Sequence, residues 1–215
     1  MNSNPNAKVV LCYGDSNTWG QKDDRNVAER FGADVRWTSR LQNVLGDNFY
    51  VIEEGLGGRT TNLDHTDPAK PGRNGFTYFV PCILSHNPDA VIIMLGTNDI
   101  KKQYNRPIAD VARALGEYVR FTRAERPGAK ILLVCPPVID VAAPKFAEYY
   151  HDNFDTEAAQ KSIELIALIR SLADQTGVSF FDVNTVMHTG QDGIHLNQQA
   201  HDALANSLSE IIRSQ

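Results

Sequence analysis

Five short runs dense in Val, Ile, Leu and Phe punctuate this chain, and longer stretches of mixed apolar and polar residues separate them. The runs cover 8–13, 49–54, 90–95, 130–135 and 178–182. Three are nearly continuous in apolar residues, the pattern of strands covered on both faces of a parallel sheet. Between and after them, apolar residues return at helical spacing and predict helices at 35–45, 76–86, 108–126, 155–175 and 197–213. In the fourth, Ile163, Ile166, Ala167, Ile169, Arg170 and Ala173 recur every three or four residues and predict one apolar face. The ends carry matching chemistry. Gly46 and Gly177 suit the left-handed position after a helix, Pro127-Gly128 stops the third helix, and Asn197 can cap the last.

Strand–helix alternation builds crossover units that leave helices on both sides of the sheet, so the fold class is α/β with a doubly wound, five-stranded parallel sheet. A length of 215 residues with 42% hydrophobic content suffices for one full core, and residues 1–215 read as a single domain. Two connections, 21–34 and 136–152, are long for such a fold. The second is rich in Pro and aromatic residues (Phe146, Tyr149, Tyr150), and long irregular segments of this kind often serve as lids or binding loops, with disorder or an oligomer contact as the alternatives.

Charge narrows the function classes. The net charge is -5 and no basic patch stands out, which argues against nucleic acid as a partner. The densest basic cluster, 120–126, falls on a helix and reads as a solvated face. Residues 1–7 are polar, the apolar run after them is too short for a signal-peptide core, and nothing approaches the ~20 apolar residues of a membrane span. The expectation is a soluble, cytoplasmic protein without a membrane partner. Cys12, Cys82 and Cys135 are odd in number and widely spaced, which fits buried, reduced thiols better than disulfides or zinc ligands.

The chemistry lies in loops that follow strands, where ligands bind in open α/β sheets. Ser16 follows the first run in Gly14-Asp15-Ser16, and Asp192-Gly193-Ile194-His195 precedes the last helix. A hydroxyl, an imidazole to take its proton and a carboxylate to orient that imidazole are what nucleophilic acyl transfer requires. Ser16 could instead simply cap a helix, and His195 could sit on the surface. The other histidines, His65, His86, His151, His188 and His201, lack an acidic partner placed as Asp192 is, although Asp64 adjoins His65. Donors for an oxyanion are available in the Ser16 N–H, a glycine N–H from Gly57 or Gly58, and the side-chain amide of Asn98 in Gly96-Thr97-Asn98-Asp99. Asp15 and Asp99 read as residues that hold loops. Gly55-Leu56-Gly57 is too short a match for a dinucleotide cradle, since Thr60 stands where the third glycine belongs, and no metal-binding His-Glu-x-x-His pair occurs.

Together, Gly14-Asp15-Ser16-Asn17, Gly58, Gly96-Thr97-Asn98-Asp99 and Asp192-Gly193-Ile194-His195 resemble, in order, the four blocks of the SGNH (GDSL) hydrolase family. The resemblance implies a flavodoxin-like three-layer α/β/α sandwich and a catalytic triad of Ser16, His195 and Asp192. It also implies an oxyanion hole of Ser16, Gly58 and Asn98, and no metal or organic cofactor. Asn17-Thr18-Trp19-Gly20, Glu29-Arg30-Phe31, Val35-Arg36-Trp37-Thr38 and Glu53-Glu54-Gly55-Leu56 are similar to bacterial arylesterases that also act as acyltransferases and perhydrolases. That subgroup implies a small-molecule ester substrate and a homo-oligomer. Trp19, with the aromatic loop, is then expected to wall a small acyl site. Two positions depart from the family pattern: Asn17 stands where the family name has Leu, and Arg59 follows Gly58 where many members have Asp.

Overall fold

Alternate side chains of the first strand serve two separate cores: Leu11 and Tyr13 join one apolar cluster, Val10 and Cys12 the other. This is the period of two expected of a strand buried on both faces. The structure, a computed structural model, describes residues 2–24 and 29–214. Its strands are β1 (Lys8–Gly14), β2 (Phe49–Gly55), β3 (Ala90–Met94), β4 (Lys130–Cys135) and β5 (Ser179–Asp182). They form one parallel sheet of order β2-β1-β3-β4-β5. Residue registers such as Val10 with Val51 and with Ala90 bring the carboxyl ends of β1, β2 and β3 level.

Among the described residues the α-helices are α1 (Ser16–Trp19), α2 (Trp37–Leu45), α3 (Gly75–His86), α4 (Ile108–Glu125), α5 (Phe146–Tyr150) and α6 (Ala158–Thr176), which lie between strands, and α7 (Gln198–Ser214), which follows the last. Phe79 and Ile83 of α3, Leu115 and Tyr118 of α4, and Leu165 and Ile169 of α6 pack on one face of the sheet. Trp37 and Leu41 of α2 and Leu204 and Leu208 of α7 pack on the other. The architecture is thus the three-layer α/β/α sandwich, with the strand order of flavodoxin-like proteins.

The helix ends use the expected residues. Gly46 and Gly177 take positive φ values of 74° and 62° after α2 and α6, and the Asn197 carboxamide accepts the Ala200 N–H at 2.8 Å. Arg120 and Arg123 face solvent. One face differs from expectation. The side of α6 that is buried carries Ala158, Ser162, Leu165, Ile169 and Ala173, whereas Ile163 is half exposed and Ala167 and Arg170 face solvent. Ser162 explains the displacement. Its hydroxyl is bonded to the Ala159 carbonyl and accepts the Ile139 N–H, so a polar residue occupies the buried stripe. The short helices α1 and α5 are too brief to show helical periodicity in the sequence. All three cysteines are buried, and burial pushes their thiols well up from the ordinary value. Among the described residues, no helix is long and apolar enough to cross a membrane.

Candidate active site

Strand β1 ends at Gly14, and a side chain there would strike Thr18 and the Met94 carbonyl; glycine is what lets the chain turn sharply into α1. Ser16 opens that helix. The Asp15 carboxylate accepts the Asn17 N–H at 2.9 Å, which caps the turn and fixes the serine's direction. Across the loop that precedes α7, His195 presents Nε2 to Ser16 Oγ at 2.9 Å. Its Nδ1 meets Asp192 Oδ2 at 2.6 Å. The other oxygen, Asp192 Oδ1, accepts the backbone N–H groups of Ile194 and His195 at 2.9 and 2.8 Å. Both carboxylate oxygens are therefore occupied, and the imidazole is clamped in plane. All three side chains are buried, with Asp192 fully so.

The Ser16 turn and the His195 loop are joined by Asn17, the residue that departs from the family name. Its carboxamide accepts the Leu196 N–H at 3.0 Å and donates to the Ile194 carbonyl at 3.3 Å. The second departure, Arg59, turns away from the cavity. The residue is 2% exposed, and its guanidinium donates to the Gly14 carbonyl at 2.8 Å and to the Glu54 carbonyl and lies 4.2 Å from the Tyr13 ring centroid. It ties the carboxyl ends of β1 and β2 together beneath the site.

Ser16, Gly58, Asn98 and His195 line one small chamber of about 80 Å³, together with Gln21, Lys101, Tyr150, Phe154 and Ile194. Gly58, with φ at +76°, is the glycine that reaches this chamber; Gly57 lines only the wider groove outside it. Among the described residues, neither the Ser16 N–H nor the Gly58 N–H finds a protein acceptor. The Asn98 amide donates to the Arg59 carbonyl at 3.1 Å and, at a long 3.4 Å, to Asp15. Burial raises the Asp15 carboxyl to about 6, against the opposing effects of the Asn17 N–H and nearby positive groups. Asp99 accepts from Thr61 and Arg106 and so holds the next loop, as its place after β3 predicts.

The aromatic wall is only partly as expected. Trp19 lines the outer groove of about 350 Å³, and Tyr150 lines the chamber, its hydroxyl 3.5 Å from His195 Nδ1. Phe146 is buried in the core against Phe154, and Tyr149 reaches the Asp24 carbonyl instead. Phe154, Gln21 and Lys101 enter the chamber without any sequence signal, because only the fold of the two long loops and of the Gly96 turn aims them there. Of the first long loop, residues 25–28 lie outside the described residues. Its Asp23 carboxylate accepts the Gln191 N–H at 3.0 Å, and the 136–152 segment bonds to the same loop through the Asp140 N–H and the Gly193 carbonyl at 2.8 Å. Both long connections therefore brace the His195 loop.

The other histidines lie elsewhere. His86 pairs with Glu54 and His151 with Asp152, each at 3.0 Å, acidic partners that sequence proximity alone does not single out for His86. Glu54, Cys82 and His86 place ligand-type atoms within 4.8 Å of one another, but the Arg59 guanidinium on the Glu54 carbonyl works against a cation there. His201 is buried behind Trp37, whose backbone N–H its Nδ1 accepts at 3.3 Å. A larger cavity of about 410 Å³, under Arg36, Thr38 and Glu53, shares no residue with the chamber.

The sequence pattern of the GDSL-like Lipase/Acylhydrolase family matches residues 12–203. An inhibitor-bound aryl esterase from M. smegmatis is 39% identical, with a TM-score of 0.85 over 97% of this chain and 99% of that one. A carbohydrate acetylesterase from Sinorhizobium meliloti is 35% identical, with a TM-score of 0.84 over 96% and 99% of the two chains. An acetylxylan esterase from Xylanibacter ruminicola is 27% identical over 95% of this chain, which spans only 43% of that relative's length. The chain belongs to the GDSL-like lipase/acylhydrolase family of carboxylic ester hydrolases.

Proposed function

We propose that this protein hydrolyses short-chain acyl esters through an acyl-enzyme on Ser16. The observation that carries the reading is the hydrogen-bonded line Ser16 Oγ, His195, Asp192, ending in a chamber of only about 80 Å³. Ser16 Oγ attacks the ester carbonyl while His195 Nε2 takes its proton. Asp192 holds the tautomer and stabilises the imidazolium. Negative charge then develops on the carbonyl oxygen, toward the Ser16 N–H, the Gly58 N–H and the Asn98 amide hydrogen that otherwise makes the long 3.4 Å bond to Asp15. Such donors are each worth about 10²–10³ in rate. His195 returns the proton to the departing alkoxide, and water or a second alcohol, deprotonated by the same imidazole, releases the acyl group.

The chamber limits the acyl group. At about 80 Å³, against about 350 Å³ for the groove outside it, the chamber suits an acetyl-sized acyl group better than a fatty chain. The alcohol part then lies in the wide groove beside Trp19, where aromatic surface retains an acceptor alcohol and favours acyl transfer over hydrolysis. The names of the M. smegmatis and Sinorhizobium meliloti relatives support two leaving groups, a phenol and a sugar hydroxyl, with the sugar acetyl ester as the second reading. A series of aryl and sugar esters from acetyl to octanoyl, assayed with and without added alcohol, tests this. Acetyl esters should turn over fastest and yield a new ester as alcohol is added; faster octanoyl turnover, or free acid alone at high alcohol, contradicts it. Assembly into a homo-oligomer through the long loops is part of the same proposal, and light scattering on the purified protein measures it.

A further inference from the structure

The groove outside the chamber has a charge at odds with the rest of the chain. The protein carries a net charge of -5, yet Lys70, Arg73 and Lys101 line this one groove and no carboxylate does. Among the described residues, none of the three cations is in an ion pair. The carboxylates that act on Lys101 most closely, Asp15 and Asp99, are already held by the Asn17 N–H and by Thr61 and Arg106. The Arg73 guanidinium donates from Nη1 to the Pro71 carbonyl at 2.9 Å, and its Nε lies beside Gly58.

Two neighbouring groups register the resulting field. Burial lowers Lys101 to about 8, with Lys70 and Arg73 lowering it further against the pull of Asp15 and Asp99. His65, in the same groove, is held below its ordinary value by burial and by Lys70, Lys101 and Arg73, with Asp67 opposing. Lys101 also lines the chamber, so the positive groove begins at the reacting carbonyl and runs outward along the path assigned to the alcohol part of the ester. Three unpaired cations gathered in one concave site destabilise each other unless an anion joins them.

We propose that the groove binds a carboxylate on the alcohol part of the ester, so that the favoured substrates are acetyl esters of hydroxylated acids. This rests on the esterase reading above and specifies its substrate class. Trp19 supplies a flat apolar wall for the ring that carries the carboxylate, while Lys101, Arg73 and Lys70 meet the charge. An aromatic acid and a sugar acid share this chemistry.

The test compares 4-acetoxybenzoate with its methyl ester, in which a neutral carbomethoxy group replaces the carboxylate, and acetylated methyl glucuronoside with acetylated methyl glucoside. After division by the alkaline hydrolysis rates, kcat/KM should favour the charged member by about tenfold or more, the scale of one charge-assisted hydrogen bond. The preference should shrink at about 0.5 M salt and in Lys101→Met and Arg73→Met. Whichever pair shows it identifies the aromatic or the sugar acid. Equilibrium binding of 4-hydroxybenzoate and of its methyl ester to Ser16→Ala protein reads the groove without turnover, and the acid should bind more tightly. Equal turnover and equal binding of charged and neutral members overturn the inference while leaving the esterase reading intact. Absence of turnover on every ester, with tighter binding of the acid, would overturn the esterase reading instead.

Discussion

Asn17 carries more of the site than its position suggests. Its carboxamide spans the two loops whose relative placement sets the 2.9 Å contact between Ser16 and His195, and its own carbonyl receives the Trp37 indole N–H at 3.2 Å. Asn17→Asp keeps the acceptor for the Leu196 N–H but loses the donor to Ile194; Asn17→Leu loses both and leaves the Leu196 N–H unpaired in a buried place. Buried groups left unsatisfied cost about 1–3 kcal/mol each. Asn17→Leu should therefore lower the melting temperature and reduce kcat more than it raises KM, with Asn17→Asp between it and the wild type. A wild-type kcat in Asn17→Leu would show that the bridge does not position His195. The motif pieces Ser16, Asn98, Asp192 and His195 were legible in the sequence because each sits at a strand end or helix start with a distinctive neighbour. Lys101 and Phe154 were not, since a lysine after a short 3₁₀ turn or a phenylalanine before a helix has no local mark of what it faces.

At the level of elements, the strands and the five long helices were readable within one to three residues from apolar periodicity and caps. The exception, the rotated face of α6, arose from Ser162, a polar residue that meets its bonding needs inside the core. The long segment 136–152 stood out in the sequence by its length and its Pro and aromatic content, not by any residue that marks what it touches. Its role comes from contact with the His195 loop at Gly193, where φ is +76° and an added Cβ would lie 2.1 Å from the Asp140 carbonyl oxygen. Gly193→Ala thus combines backbone strain with a clash against main chain, a cost of about 1–3 kcal/mol or more. The expected outcome is a lower melting temperature together with a fall in kcat, because either the 140 segment or the His195 loop must move. If the variant keeps both, the two loops do not constrain each other as described.

For the molecule as a whole, the β2-β1-β3-β4-β5 order places the reversal of winding between β1 and β3, and Ser16 and Asn98 follow those two strands. The chamber therefore opens where a doubly wound sheet leaves a crevice. On the opposite side of the Ser16 turn, α2 and α7 close over His201, whose imidazole burial lowers to about 3, with Arg40, His195 and Arg36 adding to the effect. Below the ordinary histidine value of 6.5 the unfolded chain takes up a proton at this position and the folded chain does not. Stability should therefore drop as pH falls from about 6.5 toward 3, at most about 1.4 kcal/mol per pH unit from this group. The stability advantage of wild type over His201→Asn, measured by denaturant unfolding, should shrink along that range and stay level above pH 7. An advantage that holds constant down to pH 4 would mean that His201 is protonated in the folded protein.

The proposed mechanism passes through a covalent acyl group at Ser16. Mixing the protein with a chromogenic acetyl ester, quenching in acid within milliseconds and mapping the peptides by mass spectrometry observes that group directly. The expected result is an initial burst of phenol and an acetylated peptide whose modified residue is Ser16, both lost in Ser16→Ala and strongly slowed in His195→Ala. Turnover of the ester by Ser16→Ala protein at the wild-type rate, or acetyl found on another residue while Ser16 stays unmodified, would contradict it.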